Sequence, residues 1–144
     1  MRIEGEWYLC DDGIERPVIR GQTLASDGSW ARTLFLLDTG ADCTVLNAAI
    51  HAALRRPLMV THQRLGGLGG GTDSVVVETQ IRLTRDGGGS VVFRGHYAAV
   101  TDLEALDMSV LGRDITGFFA VIVDRPGNVV CLVGQRHQYA IQQP

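Results

Sequence analysis

Residues 34–46 read Leu34-Phe35-Leu36-Leu37-Asp38-Thr39-Gly40-Ala41-Asp42-Cys43-Thr44-Val45-Leu46, four apolar residues followed at once by a carboxylate. With Leu34 to Leu37 as a buried strand, Asp38 emerges at its end among apolar neighbours, and Gly40 lets the backbone turn sharply with no Cβ in the way. Burial raises a carboxyl pKa unless a partner compensates, so an Asp so placed is paired, hydrogen-bonded or functional. Taken alone, an Asp-Thr-Gly after a strand is more often a plain turn, and the surrounding sequence has to decide.

Outward from this stretch, glycine clusters punctuate the chain at Asp27-Gly28, Gly66 to Gly71, Asp86 to Gly89 and Pro126-Gly127-Asn128. Strand-like runs lie between them. Pro17 to Ala25 and Trp30 to Leu37 form a predicted hairpin around Ser26-Asp27-Gly28-Ser29, with Asp-Gly supplying the positive-φ positions of a tight turn. In Val75 to Thr84, Val77, Thr79, Ile81 and Leu83 alternate with Glu78, Gln80, Arg82 and Thr84, the period of a half-buried strand. Val91 to Val100 returns beside it, and residues 118–133 read as a last hairpin. Helix is scarce. Asn47 is a candidate N-cap for Ala48 to Arg56, where Ile50, Ala53 and Leu54 share a face, two arginines suit the negative end and Pro57 stops the helix. A second short turn starts at Gly112. The expected architecture is all-β with one or two short helices, small enough for a partly closed barrel, and residues 1–144 are read as one domain.

Composition narrows the function classes. The 144 residues are 45% hydrophobic with a formal charge of −3, which suits a folded domain and leaves no basic footprint for nucleic acid or an anionic membrane. No apolar run approaches the roughly 18 to 20 residues that cross a bilayer, and the first ten residues lack a secretory pattern, so a cytoplasmic location is expected. All 13 basic residues are Arg, which excludes a Schiff-base lysine, a phosphate-loop lysine and a Ser-Lys dyad. Cys10, Cys43 and Cys131 are odd in number and, like His62, His96 and His137, lack metal-ligand spacing. They are expected to be reduced thiols packed as small apolar groups, and no metal or cofactor is expected. Trp7, Tyr8 and Trp30 are read as packing anchors.

Leu37 to Leu46, LDTGADCTVL, resembles the active-site segment of retropepsin-like aspartic proteases, the group that includes retroviral proteases. Two further segments match in order: Arg64 to Gly70, RLGGLGG, is similar to that family's glycine-rich flap, and Val110 to Asp114, VLGRD, to its second Gly-Arg element. The three span a little over half of the chain. The resemblance implies a retropepsin-like (acid protease) closed β-barrel with one or two short helices, assembled as a C2 homodimer. It also implies an aspartic endopeptidase that acts on protein or peptide substrates without a cofactor. Hydrolysis by two carboxylates needs one ionised and one protonated, a state reached when they lie too close for both to ionise. The sequence holds one Asp-Thr-Gly and no second copy, so Asp38 from each of two chains is expected to meet at a twofold axis.

Further roles follow from the resemblance. Asp38, Thr39 and Gly40 form the catalytic motif, in which Thr39 sends its hydroxyl across the axis and Gly40 offers its carbonyl to substrate. Asp42 and Arg113 are implied as an intrachain ion pair, with Asp42 also on the substrate side, and Val110, Leu111 and Gly112 as packing beneath the catalytic loop. A flap hairpin around 64–73 would close over substrate, with Leu68 as its apolar tip and the amides of Gly69 and Gly70 bonding an extended peptide. The chain departs from retroviral relatives in the thirty or so residues after Asp114 and in the polar Gly71-Thr72-Asp73, which favours a cellular or bacterial member and leaves the dimer sheet to the 118–133 hairpin or the last residues. The alternatives are a Cys43-His51 mechanism, a non-catalytic module of the same fold that binds an extended peptide or mediates dimerisation, and a small ligand-binding β-barrel.

Overall fold

The computed structural model describes residues 1–57, 59–67 and 70–134, with backbone alone for 59–67 and 70–72. In chain order the elements are β1 (Arg2–Glu4), β2 (Glu6–Leu9), β3 (Glu15–Leu24), β4 (Trp30–Leu37), β5 (Val45–Leu46), α1 (Ala48–Leu54), β6 (Met59–Gly67), β7 (Gly70–Thr84), β8 (Ser90–Val100), β9 (Ser109–Leu111), α2 (Arg113–Thr116), β10 (Ala120–Asp124) and β11 (Val129–Val133). The fold is mostly β. Eight strands form a sheet in the order β2-β3-β4-β9-β5-β8-β7-β6, and β3 also pairs with β7 through Gly21↔Leu83, Gln22↔Arg82 and Thr23↔Ile81. That extra pairing joins β3, β4, β9, β5, β8 and β7 in a ring. Gly21 sits at the seam, where a Cβ would collide with the Leu83 side chain and press on the Phe35 ring, so close approach of the strands requires glycine there.

Alternation decides which side chains fill the ring. On β4, Thr33, Phe35 and Leu37 are buried while Leu34 and Leu36 are half-buried on the opposite face. The sequence expectation of a strand buried throughout is corrected accordingly: Leu34 to Leu37 buries alternate residues. Phe35 and Leu37 join Ile19, Leu46, Val77, Ile81, Leu83, Leu111 and Ile115 in the main core. Fully buried members such as Phe35 contribute about 2 kcal/mol each relative to exposure. A smaller cluster of Val45, Val100 and Val110 takes Leu36, Ala98 and Leu106 against it. One polar bridge lies inside, between the Thr23 and Thr33 hydroxyls at 2.8 Å.

Local chemistry accounts for most boundaries and corrects three expectations. In the β3–β4 turn only Gly28 takes positive φ (84°), because the loop is longer than a two-residue hairpin and closes through Ala25 N–H to Ser29 C=O at 2.8 Å. Asn47 caps α1, its side-chain oxygen accepting from Ile50 N–H at 3.1 Å. The helix ends at Leu54, two residues short of the expected Arg56, because Arg55 turns left-handed (φ 52°). Arg56 instead donates to the carbonyls of Leu24 (3.1 Å) and Ala25 (3.2 Å), tying the helix exit to the β3–β4 turn. Ala53 faces solvent; Ala48 and Leu54 are the buried residues of the helix, and Ile50 packs half-buried against the main core.

The C-terminal hairpin forms from β10 and β11, with Ile122 opposite Cys131. Its far side is covered within the same chain: β1 pairs with β11, Ile3 opposite Leu132, in a three-stranded sheet ordered β1-β11-β10. Phe118 precedes the strand and is 71% exposed, its ring against Phe93. The polar tail 135–144 lies outside the described residues. Cys131 is buried and Cys10 half-buried, as small apolar groups would be, whereas Cys43 is exposed. Trp7 packs on the core with Arg125 over its ring, and Arg82 covers Trp30 at 4.1 Å. Among the described residues no helix is long and apolar enough to cross a membrane.

Candidate active site

Asp38 follows directly on β4, and the chain must then cross to β5, because β9 lies between those two strands. β9 runs parallel to β4, Leu36 beside Val110 and Leu37 beside Leu111, and meets β5 at Val45↔Val110. The 38–44 loop therefore arches over the end of β9, where Asp38 N–H reaches the Leu111 carbonyl at 3.3 Å. Asp38 itself is half-buried, and its Oδ1 accepts from Gly40 N–H at 2.9 Å. Gly40 is not in the left-handed region; a Cβ there would stand 3.2 Å from that carboxylate oxygen, so the glycine keeps the space beside Asp38 open.

Residues 112–114 clamp the loop from below. Arg113 N–H bonds the Ala41 carbonyl (2.9 Å) and Asp114 N–H the Asp42 carbonyl (3.2 Å). The Arg113 guanidinium donates to the Thr39 carbonyl at 2.9 Å and to the Asp42 carboxylate, so the structure brings Asp42 and Arg113 together in one chain. Gly112 is the tightest point: any Cβ would overlap the Cys43 carbonyl group and the Thr44 amide. Val110 and Leu111 are both buried, in the small and main clusters respectively. Thr39 is exposed, and its hydroxyl makes no hydrogen bond among the described residues.

Sequence reasoning gave no role to Thr44 and Asp114, and they form the densest set of bonds in the site. The Asp114 carboxylate accepts from Thr44 N–H (3.0 Å to each oxygen) and from the Thr44 hydroxyl at 2.7 Å. That hydroxyl oxygen in turn accepts from Gly112 N–H at 3.1 Å. Thr44 is fully buried, so Asp114 satisfies polar groups that have no water to turn to. Both residues lay inside segments that the sequence picks out, but seventy positions separate them and no local rule pairs them.

The electrostatics oppose a thiol mechanism. Partial desolvation and the nearby carboxylates of Asp114 and Asp42 push the Cys43 thiol above its ordinary pKa, which disfavours the nucleophilic thiolate. Burial lowers the His51 imidazole, favouring its neutral form. Desolvation, with Asp114 adding, raises the Tyr97 phenol to about 12, and its hydroxyl donates to the Phe93 carbonyl at 2.9 Å. Among the described residues no cluster of His, Cys, Asp and Glu is arranged to hold a metal ion.

The predicted flap segment is a hairpin. β6 and β7 pair through Arg64↔Asp73, Leu65↔Thr72, Gly66↔Gly71 and Gly67↔Gly70. Among the described residues β7 pairs with β8 only from Ser74 onward, so residues 70–73 have β6 as their one strand partner there. Gly70 is the first residue of β7, while Leu68 and Gly69 lie outside the described residues.

A family model described as aspartyl protease matches residues 23–115, a span that holds the Asp38 loop, the β6–β7 hairpin and the 110–114 clamp. Among solved structures, the chain is similar to the EIAV protease in complex with an inhibitor, at 23% identity over 71% of this chain and 86% of that one, with a TM-score of 0.52. It is also similar to a retropepsin-like aspartic protease from Rickettsia conorii, at 18% identity over 92% of this chain and 88% of that one, with a TM-score of 0.56. At these identities the likeness is one of fold. No curated protein sequence matches the chain.

Proposed function

The chain belongs to the aspartyl protease family, and from that premise we propose that it is a homodimeric aspartic endopeptidase whose catalytic dyad is Asp38 and Asp38 of the partner subunit. The observation that carries the reading is the placement of one carboxylate per chain at the mouth of a loop clamped on β9 and α2, with the space beside it kept open by Gly40. Two such acids at a twofold axis share a proton: the ionised member takes a proton from the attacking water while the protonated member polarises the scissile carbonyl. Thr39, exposed on the same loop, supplies a hydroxyl to bridge the two loops. Gly40 offers its carbonyl to the peptide backbone, and Asp42 lies at the end of the cleft, held by Arg113. The β6–β7 hairpin closes over the peptide, with the amide of Gly70 facing it. In the dimer the ring of strands serves as the closed barrel of each subunit. The outer edge of β10, with Ile122 and Val123 exposed, is the part of the C-terminal hairpin open to the partner, because β1 already occupies the other side of β11.

Asp38→Asn tests the reading. It keeps size and fold, and peptide hydrolysis is expected to fall by about a thousandfold or more, whereas Cys43→Ala retains it. Wild-type activity should follow a bell-shaped pH profile with a mildly acidic maximum, since one acid must be charged and the other not. Undiminished hydrolysis by the Asn variant, or its loss in Cys43→Ala, contradicts the proposal.

A further inference from the structure

On β4, side chains alternate, so Leu34, Leu36 and the following Asp38 project to one face. Along that face runs an open cavity of about 740 Å³, bounded by the turn after β2 and by the loop that leads into β9. Its floor is apolar: Leu34 and Leu36 from β4, and Val110 from β9, paired beside Leu36. Its rim is acidic. Asp12 and Arg16 on the rim neutralise each other through two bonds of 2.9 and 2.7 Å. Asp11, Glu104 and Asp107 also line it and are exposed, and none of the three carboxylates has a cation or a hydrogen-bond donor among the described residues. An apolar trough that ends in uncompensated negative charge suits a long side chain with a hydrocarbon stem and a cationic head. The floor begins at Leu36, two residues before Asp38, about 7 Å along the strand, which is also the spacing of same-face side chains on an extended peptide.

We propose that this cavity is the subsite for a lysine or arginine side chain of the substrate close to the scissile bond, with Leu34, Leu36 and Val110 carrying the stem and Asp11, Glu104 and Asp107 facing the charge. The inference rests on the protease reading for its location and goes beyond it in naming the substrate class. Acidic side chains are repelled by the same rim, and the selectivity weakens as salt screens the exposed charges.

The test uses one peptide series that differs only by Lys, Leu or Glu at each position flanking the cleaved bond. Wild-type kcat/KM is measured on it, and its Kd for the Asp38→Asn protein is measured by fluorescence anisotropy, so binding is read without hydrolysis. At one position Lys is expected to exceed Leu by about fivefold in both, with Glu weakest. The double variant Glu104→Gln, Asp107→Asn should pull the Lys-to-Leu ratio back toward one. Equal binding of Lys and Leu, or a Lys preference that persists undiminished in the double variant, overturns the subsite even where the wild type cuts peptides. A Lys preference in binding that depends on the two acids, without hydrolysis by the wild type, supports the subsite and overturns the protease reading.

Discussion

The Asp38 loop with its 112–114 clamp and the β6–β7 hairpin both place glycine at close approaches of the backbone, and they are built in opposite ways. The loop is fastened at nearly every residue: Asp38, Ala41 and Asp42 by main-chain bonds to residues 111–114, Thr39 by the Arg113 guanidinium, and Thr44 by the Asp114 carboxylate. Gly112 in the clamp beneath it is glycine because Cys43 and Thr44 leave no room for a Cβ, and at Gly40 a Cβ would crowd the Asp38 carboxylate. In the hairpin, residues 70–73 have strand partners on one side only among the described residues, and Gly66, Gly67, Gly70 and Gly71 face one another across the ladder. The contrast teaches that glycine content alone says nothing of rigidity. What matters is whether a glycine is enclosed by packed atoms or paired with another glycine on a two-stranded arm.

The sharpest way to break this contrast is to enlarge Gly112. Gly112→Ala puts a methyl group where the Cys43 carbonyl and Thr44 amide already stand, so a stability loss of about 3 kcal/mol is expected in denaturant unfolding. The comparison substitution Gly71→Ala, on the hairpin, should cost well under half as much. Next in size is Asp114→Ala, which leaves the buried Thr44 amide and hydroxyl without their acceptor and should cost about 2 kcal/mol. Asp42→Asn is the smallest. Its pair with Arg113 is mostly solvent-exposed, and thermal melts should register under about 1 kcal/mol. If Asp42→Asn costs more than Asp114→Ala, the clamp is wrongly apportioned between its two acids.

That last ordering marks where the sequence stops being informative. Alternation along Val75 to Thr84 and the Asn47 cap are local signals, and the strand and helix they announce are present. The motif residues were legible because Asp38 and the Gly112-Arg113 turn lie in short segments of recognisable pattern. The position of β9 was not: three residues, Ser109–Leu111, are too few for periodicity to register, yet inserting them between β4 and β5 is what forces the Asp38 loop to arch. Thr44 and Asp114 were passed over for the same reason, since their bond is created by that insertion. The left-handed turn at Arg55 was hidden as well, because Arg suits a helix end and nothing local shows Arg56 reaching back to Leu24 and Ala25.

In the proposed dimer each chain holds half of a catalytic centre. Adding Asp38→Asn protein in increasing excess to a fixed amount of wild type, and following peptide hydrolysis after subunit exchange, puts this to the test. Activity is expected to decline toward zero as wild-type subunits are drawn into mixed dimers with one acid each. Hydrolysis that stays constant per wild-type chain at every excess, while sizing shows that mixed dimers have formed, would contradict it.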